Sequence, residues 1–108
     1  MSARASLIYT TLPDMEQARE LGARLVREKL AACVNMFPAM QSIYAWKGRI
    51  EHDEEVVLIA KTVPELAERV MRRIGELHPY EVPAILLLPV EKVAESYLAW
   101  LRENTAGG

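Results

Sequence analysis

The chain has 108 residues, 51% of them hydrophobic and 26% charged, with a formal net charge of −2. That length holds one domain with one modest core, and a domain so small buries only part of its apolar surface by itself, so the apolar excess calls for a subunit interface. Basic residues scattered among acids argue against a nucleic-acid partner, the longest apolar runs (Val56–Ala60 and Val82–Val90) are far short of the ~20 residues of a membrane helix, and a lone cysteine, Cys33, forbids an intrachain disulfide. With no leader-like start, a reducing, cytoplasmic setting is expected.

Ser6–Leu12 reads as a first strand, with Ile8, Tyr9, Thr10 and Thr11 supplying aromatic and β-branched side chains. Pro13 ends it. Asp14 and Gln17 then stand at capping-box spacing, and Ala18, Leu21, Gly22, Leu25, Val26 and Leu30 keep the helical period, which predicts a helix over 14–30. Cys33–Phe37 and Met40–Trp46 read as one long strand, interrupted near Pro38 by a bulge, bend or edge. Lys47-Gly48 is a tight turn into a further strand, Arg49 to about Lys61. Both arms of this hairpin are about twice the ~5–6 residues typical of strands.

Thr62 is the expected N-cap of a second helix, with Pro64 in its first turn and Glu65 in the capping-box place. Leu66, Ala67, Val70, Met71, Ile74 and Leu77 form its buried stripe, and Pro79 ends it near Leu77. Ala84–Leu88 is a fourth strand between Pro83 and Pro89. Val93, Tyr97, Trp100 and Leu101 describe the apolar face of a short last helix. Ala106, Gly107 and Gly108 read as a frayed end.

The order β-α-β-β-α-β plus a terminal helix predicts an α+β, ferredoxin-like sandwich over the whole chain, residues 1–108, with an ordered core from about 6 to 103. Such a sheet has one face under helices and one free. Val56–Ala60 and Ala84–Leu88 are apolar at both parities, so the second face also needs cover, and further copies of the chain are the economical source.

The segments LAACVN (30–35), SIYAWKG (42–48), HPYEVPAI (78–85) and YLAWL (97–101) resemble the CutA family in order and spacing, across about Ser6–Leu101. The resemblance implies a ferredoxin-like subunit, a homotrimer with its three sheets facing one another, and a part in divalent-metal tolerance, copper included. It also implies kinship with PII-type signalling trimers, which hold small effectors in clefts between subunits. A small-effector sensor and a ligand-free trimeric scaffold therefore stand as alternatives.

His78, at a helix end before proline, is the candidate metal ligand; the competing role is bonding to the helix end or a neighbouring strand. The resemblance implies a copper site with a cysteine where this chain has Thr10 and a second histidine where it has Leu77. One imidazole and a hydroxyl predict weak association of Cu(II) or another divalent cation. Cys33 reads as a small buried hydrophobe. His52 lies in an acidic run, and on a strand it shares one face with Glu54 while Asp53 and Glu55 share the other. Tyr44, Trp46, Glu55, Lys61, Tyr80 and Trp100, with Glu81 beside them, are the candidates for an intersubunit ligand cleft, against a plain packing role for the aromatics. No nucleophile–base pair, phosphate loop or metal triad is legible, so no enzymatic activity is expected.

Overall fold

The computed structural model describes residues 2–106; Gly107 and Gly108 lie outside them. Four strands form an antiparallel sheet: β1 (Ala5–Leu12), β2 (Cys33–Trp46), β3 (Arg49–Thr62) and β4 (Ile85–Val90), in the spatial order β2-β3-β1-β4. This is the ferredoxin-like arrangement that the element order predicts. Helices α1 (Met15–Arg27) and α2 (Ala67–Leu77) cover one face, α1 over β2 and β3 and α2 over β1 and β4. A third helix, α3 (Glu95–Glu103), closes one end.

The core lies where the periodicities intersect. Ile8, Leu12, Leu58 and Ala60 point from the sheet into a cluster with Leu21, Leu25, Val70 and Ile74 from the helices. Gly22 lets α1 approach β2 closely: a Cβ there would lie 3.1 Å from Val34 Cγ1. A second, smaller cluster joins Ala5, Ala32, Val63 and Leu66 to Leu98 and Leu101 of α3.

Asp14 caps α1 as its spacing predicts, accepting the Gln17 amide at 2.8 Å, and these bonds hold its carboxyl below the usual carboxylate range. The helix stops at Arg27 rather than Leu30, because Lys29 turns into the left-handed region (φ 60°) and the Leu30 and Ala31 amides fold back onto the Leu25 carbonyl. Thr62 is not a cap. It ends β3 fully buried, and its hydroxyl donates to the Leu30 carbonyl at 2.6 Å. The chain instead enters α2 through a 3₁₀ turn at Pro64–Leu66. Glu65, free of capping, pairs with Arg102 of α3 at 2.7 Å. Strand β4 runs through Pro89 to Val90, which an edge strand tolerates because it pairs on one side only. The buried face of α3 is Leu98 and Leu101, whereas Tyr97 and Trp100 stack on each other at its surface. Ala106 is tied down, its amide donating to the Lys29 carbonyl at 2.8 Å.

The sheet's other face is left largely open by the chain itself. Phe37, Leu86 and Leu88 lie on it, with relative exposures of 54%, 56% and 46%. Pairing between β1 and β3 ends at Leu12 and Val56, so the outer half of the β2–β3 hairpin projects beyond the helices. Ile43 and Ile50 on that half are 73% and 77% exposed.

Candidate functional site

A β-bulge decides which side chains meet. Phe37 pairs with Val57 and Met40 with Glu55, so β2 spends three steps where β3 spends two. Ala39 absorbs the extra residue with φ 63°. Before the bulge the odd residues Cys33, Asn35 and Phe37 face the open side; after it the even residues Ser42, Tyr44 and Trp46 do. Strand β3 keeps its parity, so Asp53 and Glu55 share that side with them. Opposite-face pairing of His52 with Gln41 (2.9 Å) agrees with the alternation expected of His52–Glu55.

The resulting polar contacts are diagonal across the hairpin, as twist favours. Ser42 donates to Glu55 Oε1 at 2.7 Å, and the Tyr44 hydroxyl donates to Asp53. Tyr80, from the loop after α2, donates to Glu55 Oε2 at 2.8 Å. Glu55 is thus gripped on both oxygens. The bond to Asp53 pushes the Tyr44 hydroxyl up to about 12, and burial followed by the bond to Glu55 raises that of Tyr80. Both phenols stay protonated at neutral pH and act as donors. Together with Tyr9, Trp46 and Glu81, these side chains wall a cleft of about 640 Å³.

Four of the six candidate cleft residues, Tyr44, Trp46, Glu55 and Tyr80, therefore come together within one chain. Lys61 and Trp100 do not join them. Lys61 pairs with Leu7, six residues along β3 from Glu55, which is roughly 20 Å of strand. There its ammonium lies 5.6 Å from the centre of the Tyr97 ring, the partner of Trp100 in the α3 stack. A cleft holding all six would need two chains. Asp53 and Ser42 are cleft residues that sequence reasoning left out, and their signal was the diagonal spacing to Tyr44 and Glu55, readable only once the bulge fixes the register.

His78 follows α2 in extended backbone, as Pro79 requires. Its Nδ1 accepts the Tyr80 amide at 3.1 Å, which places the proton on Nε2. Nε2 then donates to the Thr11 carbonyl at 2.7 Å and lies 3.1 Å from Thr10 Oγ1. Burial holds the ring's pKa below its ordinary value, with the Thr11 bond and Glu55 opposing. The ring ties the end of α2 to β1. Among the described residues no three His, Cys, Asp or Glu side chains converge as a metal shell, and Leu77 packs toward the helix-side core. Cys33 is half-buried, its Sγ 3.8 Å from the side-chain Nδ2 of Asn35. No helix among the described residues is long and apolar enough to cross a membrane.

The profile of the CutA1 divalent ion tolerance protein family matches residues 6–104. A divalent-cation tolerance protein CutA of Thermus thermophilus is 43% identical over 99 residues, covering 92% of this chain and 96% of its own. One from Pyrococcus horikoshii is 46% identical with the same coverage. The crystal structure of the divalent ion tolerance protein CutA1 from Ehrlichia chaffeensis superposes with a TM-score of 0.92 at 32% identity, covering 98% of this chain and 99% of that one.

Proposed function

This chain belongs to the CutA1 divalent ion tolerance family, and from that premise we propose that it is a non-catalytic, cytoplasmic homotrimer whose part in metal tolerance involves only weak cation binding. The open sheet face supports the assembly: Phe37, Leu86 and Leu88 form an apolar surface that a monomer would leave in water.

The observation that carries the weak-binding reading is the setting of His78. The side chain beside its Nε2 is the Thr10 hydroxyl at 3.1 Å, and both ring nitrogens are already spent on hydrogen bonds to the Thr11 carbonyl and the Tyr80 amide. These residues do not fit a resident copper ion, which takes soft thiolate or several imidazole donors. Copper(II) can reach the ring only by displacing the Tyr80 amide from Nδ1 or the proton from Nε2. The expected affinity is on the order of micromolar or poorer.

Calorimetric titration with copper(II) at neutral pH tests this. The unaltered protein should bind weakly, His78→Ala should abolish that binding with the assembly intact, and Thr10→Cys should tighten it by placing a thiol beside the ring. Nanomolar affinity in the unaltered protein, or binding unchanged in His78→Ala, would refute the reading. A second reading, a sensor of small effectors, has the aromatic cleft in its favour.

A further inference from the structure

An assembly that covers the open face covers two unlike charges with it. Lys61 stands in a row across the sheet, paired with Cys33 of β2 on one side and with Leu7 of β1 on the other, and Leu7 pairs in turn with Leu88. Cover that buries Leu88 reaches Lys61 in the same row. The Lys61 ammonium lies over the Tyr97 ring, 5.6 Å from its centre, and takes no part in the ion pairs among the described residues. Farther along β3 on the same side is Glu55, the next residue of that side beyond Val57, whose partner is the exposed Phe37. Glu55, Asp53 and Glu81 put three carboxylates into the cleft, and among the described residues no lysine, arginine or histidine of the same chain lines it. The donors that grip Glu55, the Ser42 and Tyr80 hydroxyls, are neutral and leave its charge in place.

A charge taken out of water alone is strongly destabilising, whereas two opposite charges buried in contact offset much of that cost. Within one chain Lys61 and Glu55 cannot meet, because six residues of strand hold them roughly 20 Å apart. Between chains they can. A contact that sets one end of this face against the other end of the next copy's face is head-to-tail, and three such contacts close a ring in which every Lys61 and every Glu55 has a partner. The other basic strand residue of that side, Arg49, is exposed at the far end of the hairpin, beyond the part that β1 and β4 share. The cleft suits a lysine. Tyr9, Tyr44 and Trp46 offer apolar ring faces to its methylene stem and attract an ammonium through their quadrupoles. Each Glu55 oxygen accepts one bond, which leaves half of its roughly four acceptor positions for the incoming donors.

We propose that Lys61 of each copy enters the cleft of the next copy and ion-pairs there with Glu55, so that the cleft is complete only in the assembly. A small effector enters that cleft only by displacing Lys61, which ties its binding to the subunit contact. The proposal rests on the homotrimer reading and is independent of the metal reading at His78.

The test is a double-mutant cycle on the assembled protein: Glu55→Gln, Lys61→Met and the two together. Light scattering reads the protein concentration at which the assembly dissociates, in enough urea to bring that point within reach. Each single variant strands one charge in the contact and should raise that concentration at least about tenfold, whereas the double variant strands neither and should lie within about threefold of the unaltered protein. Sites this far apart in one chain add independently, so a rescue of this kind reports a contact between chains. Additive losses, or either single variant leaving the assembly unchanged, would overturn the proposal while a mass of three chains kept the homotrimer reading. An unaltered protein of one chain mass would remove both. Rescue of Glu55→Gln by Arg49→Met instead would seat Arg49 in the cleft and overturn the choice of Lys61. Should the Glu55 variant fail to fold, amine acetylation of the unaltered protein decides. Lys61 should react several times more slowly than the exposed Lys29 on the helix side, and equal rates would overturn the proposal.

Discussion

Leu58 and Leu86 belong to the same sheet and carry the same side chain, yet their surroundings are opposite. Leu58, on the helix side, is fully enclosed by α1 and α2, whereas Leu86, on the other side, is 56% exposed. The helix side is finished within one chain, with packed aliphatic side chains and a buried threonine whose hydroxyl is satisfied. The open side is apolar along β4, and among the described residues nothing encloses Leu86 and Leu88, which stay exposed. Leu86 and Leu88 on an open face, against the usual alternation of a half-exposed antiparallel strand, are what the proposed interface between copies would bury.

The largest effect should come from charging the open side. Leu86→Glu together with Leu88→Glu places two carboxylates in the proposed interface and should convert the assembly to smaller species at low micromolar concentration, read by light scattering. An unchanged mass would show that this face is not buried between copies. Next in size is truncation on the closed side. Leu58→Ala should cost about 2–5 kcal/mol in urea unfolding, because a fully packed site relaxes only in part. Leu86→Ala measured beside it sharpens the contrast: a bare surface leucine would change stability by less than about 0.5 kcal/mol, and an interface leucine by clearly more.

The smallest effect is a pH dependence at the junction of the two sides. Burial holds the His78 ring below its ordinary pKa, so the unfolded chain binds the proton more readily than the folded one. The stability gained by keeping the ring neutral is present above the unfolded value, near 6.5, and is lost as pH falls through the lower folded value. Between about pH 7.5 and pH 5 the unaltered protein should therefore lose more stability in urea than His78→Gln does. Parallel losses in the two proteins would mean that the ring does not titrate in this window.

How legible these regions were follows the same division. The closed side could be read almost directly: the stripe Ala18, Leu21, Leu25 and the stripe Val70, Ile74 point to one place, and Pro79 stops α2 where expected. Local rules failed where a residue had a tertiary partner. Thr62 has the composition of a cap, but the buried Leu30 carbonyl needs its hydroxyl more than the helix does. Trp100 fits the apolar period of α3, yet the smaller Leu98 fills the space against Ala32 and Val63 while the indole stays outside. The candidate site was half legible. The aromatics of the cleft stood out by type, but Ser42 joins it only because one extra residue at Ala39 reverses the parity of β2 and brings Ser42 and Tyr44 to the face that Asp53 already holds. Pro38 marked the neighbourhood of that bulge, not its step count.

On the proposed assembly, other copies of the same chain cover the open face of the sheet. Light scattering on the unaltered protein at low micromolar concentration measures this most directly. The predicted result is a single species of about three times the 12.2 kDa chain mass, unchanged on dilution through that range. A stable, soluble species of one chain mass, with Leu86 and Leu88 left in water, would contradict it.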